Sequence, residues 1–177
     1  MTSYETEKAL STMRIIVDTR EQPTATSRAR YEAFGCPWVR QKLDFGDYSA
    51  EFTDVSGKTI SLAGVIAVER KMGFGEIASN FCRERRRFAA EFDRAKAAGG
   101  KIILIVEGGN WEAAYRGQYR SQMSPRSLIA SLLTWEARYN APVFICTQMT
   151  TGRLIADVLR YEGREFMLRM EEPKCEN

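Results

Sequence analysis

The chain contains no histidine. That absence excludes every Ser–His or Cys–His nucleophile pair. It also leaves any zinc site to be assembled from thiols and carboxylates alone. The four cysteines, Cys36, Cys82, Cys146 and Cys175, are far apart and form no Cys-x-x-Cys pair. Such spacing reads as free thiols in a reducing compartment, so a cytoplasmic location is expected. The first twelve residues lack the apolar segment of a secretory leader, and no apolar run approaches membrane-spanning length. No membrane partner is expected. Net charge is also small, +3 from 26 basic and 23 acidic residues, too little to imply a polyanionic partner by itself. Arginine far outnumbers lysine, however, and guanidinium suits bidentate contacts with phosphate.

What is present fits one domain. At 177 residues the chain is long enough to bury a core without covalent staples. The segment 1–12 is polar and expected to be loose, the domain to span residues 13–170, and residues 171–177 to form a polar, flexible tail. Met13–Val17 reads as the first strand, and a short helix capped by Thr26 or Ser27 runs to Phe34. Trp38–Leu43 is extended, and Tyr48–Phe52 and Thr59–Glu69 form a hairpin around Ser56-Gly-Lys58. One long helix is expected from Glu76 to Ala98, with Ile77, Phe81, Phe88 and Phe92 on its buried side. Lys101–Glu107 is an unbroken apolar run, the pattern of a strand covered on both faces. A short helix reaches Ala114, and Ser124-Pro125 starts another that buries Leu128, Leu132, Trp135 and Tyr139. Ala141–Cys146 is the last strand, and a final helix runs to about Glu162. Strands interleaved with helices predict an α/β fold, a central mixed sheet flanked by helices.

Three acidic elements punctuate this order: Val17-Asp-Thr-Arg-Glu21, Gly46-Asp47 and Glu69-Arg-Lys71. Alternate residues of a strand share a face, so Glu69 and Lys71 point the same way. If Asp18 and Asp47 converge there, hard oxygen donors gather beside an amine. That constellation suits metal-assisted hydrolysis of a phosphodiester. The bland alternatives are turn-forming aspartates and a surface Glu–Lys pair worth under about 1 kcal/mol.

In their order and spacing these elements resemble the nuclease domain of the XPF-type structure-specific endonucleases, within the restriction-endonuclease-like superfamily. The likeness covers most of residues 13–165. It implies magnesium, with manganese able to substitute, held by Asp47 and Glu69 with Asp18 close by and the Arg70 carbonyl as a further ligand. Lys71 would hold or activate the attacking water and contact the scissile phosphate. Arg20 and Glu21 fall to support or a structural salt bridge. Where the family has its final aspartate this chain has Gly75, and Glu76 follows as its candidate replacement. The resemblance also implies branched or flapped DNA as substrate, cut near a single-strand/double-strand boundary. A second copy of the chain, a helicase or a DNA-binding protein are the implied partners. No helix-hairpin-helix module accompanies the motifs, so fork or junction specificity is not carried over.

Arg83, Arg85, Arg86 and Arg87, interrupted only by Glu84, are candidate phosphate contacts, with Glu84 or Glu91 as alternative ion-pair partners. Arg116, Arg120 and Arg126 extend the same expectation, against the alternative of an ordinary solvated face. Trp135 is expected in the core, and Trp111 either stacks on a base or covers the sheet edge. Two other readings stay open: a catalytically inactive, nucleic-acid-binding or partner-recruiting subunit, and a nuclease acting on RNA.

Overall fold

The computed structural model describes residues 1–170; the expected tail and Cys175 lie outside them. In chain order the elements are α1 (Ser3–Leu10), β1 (Arg14–Val17), α2 (Ala25–Glu32), β2 (Trp38–Arg40), β3 (Tyr48–Thr53), β4 (Thr59–Ser61) and β5 (Ile66–Lys71). There follow α3 (Phe74–Arg83), α4 (Arg85–Ala97), β6 (Lys101–Glu107), α5 (Trp111–Tyr115), α6 (Pro125–Tyr139), β7 (Val143–Cys146) and α7 (Thr151–Arg169). The strands form one mixed sheet ordered β2-β1-β3-β5-β6-β7, with β4 paired to β3. β1, β3 and β5 run antiparallel to their neighbours in that trio, whereas β5, β6 and β7 are parallel.

Two apolar layers cover the sheet. Ile15, Val17, Tyr48, Val68, Ile103 and Ile105 pack with Leu10, Ile155 and Leu159, beneath α1, α2 and α7. Ala67, Ile102, Leu104 and Val106 face Phe81, Phe88, Phe92, Leu132 and Trp135, from α3, α4 and α6. β5 and β6 contribute alternate residues to both layers, which is why their sequences run apolar without a break.

Several details depart from the expectations above. Helix α2 is capped by Thr24, whose hydroxyl accepts from Ser27 N, so Thr26 and Ser27 lie inside its first turn. Residues 3–10 are helical, closed by a capping box between Thr2 and Glu5 and anchored by buried Ala9 and Leu10. The return arm of the hairpin is interrupted: Leu62–Val65 make a turn, so β4 and β5 pair with β3 separately. The long helix is two helices, broken at Glu84, whose backbone (φ −118°, ψ 21°) leaves the helical region. No glycine or proline marks the break, so local propensity gives no sign of it. The last helix runs seven residues past Glu162, to Arg169, because Phe166 and Met167 still pack on the sheet.

Candidate active site

Register builds the site. Val17 lies opposite Tyr48, and Tyr48 opposite Val68. One step further along these three adjacent strands come Asp18, Asp47 and Glu69, tied by Asp18 N–H to Asp47 O (2.8 Å) and Asp47 N–H to Val68 O (2.8 Å). The apolar trio enters the layer under α7, so alternation turns the acids toward α3 and α4. Gly46 (φ +72°) makes this closeness possible, since a Cβ there would fall 2.5 Å from that of Ala67.

The three acids then diverge. Asp18, 1% exposed, is fully engaged: Oδ1 accepts from Arg20 N and Nε, both at 2.7 Å, and Oδ2 from Leu43 N at 2.6 Å. Burial opposes its ionisation, yet the Arg20 guanidinium and the two backbone N–H groups hold its pKa below the usual value. Its carboxylate clasps the 18–20 turn to the 41–47 loop, with both oxygens accepting from within the chain.

Asp47 and Glu69 are opposed residues of neighbouring strands. Burial and the Glu69 charge push the Asp47 pKa well up, against the pull of the Arg70 N–H that donates to Oδ2 at 2.8 Å. Glu69, 5% exposed, is also raised, by burial and then by Glu91 and Glu76, with Lys71 opposing. Lys71 Nζ lies 2.6 Å from Glu69 Oε1, 3.7 Å from Glu76 Oε1 and 5.4 Å from the Phe88 ring centroid. Burial alone would lower the Lys71 pKa; Glu69, Asp47 and Glu76 raise it instead, so the ammonium stays charged. Glu76 also accepts from Met72 N (2.8 Å). It is therefore Glu76, from the first turn of α3, that reaches this cluster. A Cβ at Gly75 would lie 3.0 Å from the Arg120 carbonyl oxygen.

Glu91 enters from α4 and accepts from Gly46 N (3.1 Å), with Arg20 Nη2 at 3.8 Å. In the sequence Glu91 stands out only as a partner for the nearby arginines. Its spacing from buried Phe88 and Phe92 was the available signal for an inward face.

Behind the sheet lies a second charged group, in which the motif residues Glu21 and Arg70 meet Arg30, Tyr48 and Glu107, which no motif announced. Arg70 alternates with Glu69 and Lys71, so its side chain crosses to the other layer and pairs with Glu107 at 3.0 Å. Arg30, 6% exposed, lies 3.7 Å from Glu107 and 3.6 Å from Glu21, and donates to Tyr48 Oη at 2.9 Å. The Tyr48 hydroxyl in turn donates to Glu21 (3.1 Å). This network grips the residues immediately beside Asp47 and Glu69.

Arg83, Arg85, Arg86 and Arg87 are all exposed around the Glu84 break, and among the described residues none pairs with a carboxylate. Arg85 lies over Phe81 and Trp135, at 5.9 and 5.7 Å from their centroids. Arg116, Arg120 and Arg126 are likewise exposed. Trp135 is in the core, and Trp111 packs on Phe74 at 5.1 Å.

Among the described residues, no three His, Cys, Asp or Glu side chains gather into a metal cage. Asp47 and Glu69 nevertheless make a donor set that fits magnesium or manganese. Such ions commonly take one or two carboxylates and fill the remaining positions with water. Burial raises both pKa values, and neighbouring carboxylates add to it: Glu69 at Asp47, and Glu91 and Glu76 at Glu69.

Comparison with known proteins bears on the fold and the family. The XPF from Aeropyrum pernix superposes with a TM-score of 0.62 at 22% identity, covering 93% of this chain and 69% of that one. A structure of XPF from Aeropyrum pernix in complex with DNA gives a TM-score of 0.56 at 20% identity, over 92% and 68%. These likenesses identify the fold as restriction-endonuclease-like. No curated protein matches the chain. The family model for the ERCC4 domain matches residues 17–158, and the chain therefore belongs to that family of XPF-type nuclease domains.

Proposed function

We propose that the chain is a metal-dependent, structure-selective DNA endonuclease that hydrolyses phosphodiester bonds near single-strand/double-strand boundaries. The observation that carries this reading is the opposed Asp47–Glu69 pair with the Lys71 ammonium 2.6 Å from one of its oxygens. In this reading Asp47 and Glu69 hold a magnesium or manganese ion, with the Arg70 carbonyl as a further donor. Bound there, the ion would polarise the phosphate and acidify a water.

The chain's own groups do the rest. The Arg70 N–H fixes one Asp47 oxygen and leaves the other for coordination. Lys71, held between Glu69 and Glu76, presents a positive charge to the pentavalent phosphate as its negative charge grows. That charged state favours phosphate contact and water orientation over a role as neutral base. Glu91 and Arg20 brace the Gly46 turn that carries Asp47. The exposed arginines at 83 and 85–87, with Arg116 and Arg120, bind backbone phosphates without reading sequence.

The test is a panel of splayed-arm, flap, nicked and linear duplexes, with matched RNA versions, incubated with and without magnesium or manganese. Metal-dependent cutting confined to the branched DNAs is expected; a folded protein that cuts nothing on the panel sinks the reading. The alternative, a non-catalytic nucleic-acid-binding or partner-recruiting subunit, is favoured by the Lys71 grip on Glu69 and by Gly75 standing where the family pattern has an acid. Metal titration separates the two: saturable binding lost in Glu69→Ala belongs to the enzyme alone. Half-exposed Phe144 on β7 and exposed Tyr161 on α7 support a second copy, or a helicase or DNA-binding protein, docking on that face. Sedimentation as a function of concentration reads out the homodimer.

A further inference from the structure

Beside the Lys71–Glu76 clasp lies a groove of about 320 Å³ that the mechanism above leaves unused. One wall is the Met72–Glu76 turn; the other is the 118–120 loop. Glu76 lines the groove and also contacts Lys71, so the groove adjoins the candidate site. A strand with its scissile phosphate at Lys71 therefore sends a neighbouring nucleotide toward this opening.

The lining has matching chemistry. Phe74 is buried beneath the groove against Trp111, and the partly buried Tyr119 ring above it is pinned by its hydroxyl donating to the Met123 carbonyl at 2.7 Å. A rigid aromatic ring of this kind stacks bases of any identity. Gln118 and Arg120 are exposed at the rim, and among the described residues neither side chain has a hydrogen-bond or ion-pair partner. An amide and a guanidinium suit a base edge and a flanking phosphate. The volume is at the low end of small-molecule sites, which suits one nucleotide and excludes a duplex. Glycine at 75 lets the Arg120 backbone close in on this wall: a Cβ there would lie 3.0 Å from Arg120 O and 3.3 Å from Arg120 N, so a branched side chain such as valine would press on the loop.

We propose that this groove is a subsite for one unpaired nucleotide of the cleaved strand, adjacent to the scissile phosphate, gripped by stacking and a phosphate contact. It deepens the nuclease reading and rests on it. The subsite makes an unpaired nucleotide at the boundary part of the substrate, and so gives the chain its own source of structure selectivity.

The experiment uses splayed-arm DNA with 2-aminopurine at single positions around the boundary, bound to the full chain in chelator so that nothing is cut. Quenching at one unpaired position, lost in Gly75→Val and weakened in Arg120→Ala and Gln118→Ala, is expected. Circular dichroism confirms that Gly75→Val is folded, and the two rim variants serve if it is not. In magnesium, an abasic residue at that same position slows cutting about tenfold, the scale of one stacked base, while abasic residues elsewhere do not. Bound DNA with no position-specific quenching, unaltered by the variants, overturns the subsite. Cutting that is indifferent to abasic placement overturns it while leaving the nuclease reading intact. Quenching without any cutting in metal retains the subsite and removes the nuclease reading on which its catalytic meaning rests.

Discussion

The two faces of the sheet at the Asp47–Glu69 end bury similar groups to opposite effect. On the α7 side, Glu21 and Glu107 meet Arg30 and Arg70, and each carboxylate has a guanidinium within 3.7 Å. On the α3 and α4 side, Asp47, Glu69, Glu76 and Glu91 share the Lys71 ammonium and a distant Arg20. One face is neutralised from within the chain; the other keeps surplus negative charge. Uncompensated buried charge marks a candidate functional site, and in the proposed reading a divalent cation is its complement.

The sharpest way to break this contrast is to remove a carboxylate from the unbalanced face. Asp47→Ala or Glu69→Ala should lower metal-dependent cleavage by on the order of 10³-fold, with DNA affinity largely kept; gel cleavage and fluorescence anisotropy check both halves. On the balanced face the same kind of deletion should act on stability. Arg30→Met leaves Glu21 and Glu107 buried with less compensation and should cost about 3 kcal/mol in denaturant unfolding. Asp47→Asn, measured in chelator, should raise the unfolding midpoint, because it relieves repulsion with Glu69 and still accepts from Arg70. If both variants lower stability equally, the two faces are not different in the sense described.

Smaller effects sharpen the comparison at its edges. Each of Arg86→Ala and Arg120→Ala should weaken DNA binding uniformly across sequences and reduce the log–log salt slope by about 1. Asp18 belongs electrostatically with the neutralised face, since its pKa is depressed. Its stabilisation is fully present above its unfolded value of about 3.9 and is lost as pH falls through the lower folded one. Asp18→Asn should therefore destabilise the chain at pH 7, with the gap from the parent narrowing toward pH 3.

Much of this was legible before any coordinates. The apolar runs gave β1, β5 and β6, the Ser124-Pro125 cap gave α6, and the period-two rule set Glu69 and Lys71 on one face. What escaped had physical causes. Helix α1 looked loose because its charged sequence hides two anchors, Ala9 and Leu10. The break at Glu84 falls where no glycine or proline advertises it. The Asp18 motif gives no sign that the Leu43 amide and Arg20 donate to both of its oxygens, because Leu43 meets it only across a loop. Arg30, Tyr48 and Glu107 carry no motif, being far apart in the chain and meeting only behind the sheet.

The main strands and helices, the three acidic elements and their family were legible in the sequence alone, because periodicity and side-chain type act locally. Which carboxylates remain uncompensated was decided by tertiary structure. Compensation depends on charges brought within a few ångströms across strands and helices, and that proximity exists only after the sheet has closed its register.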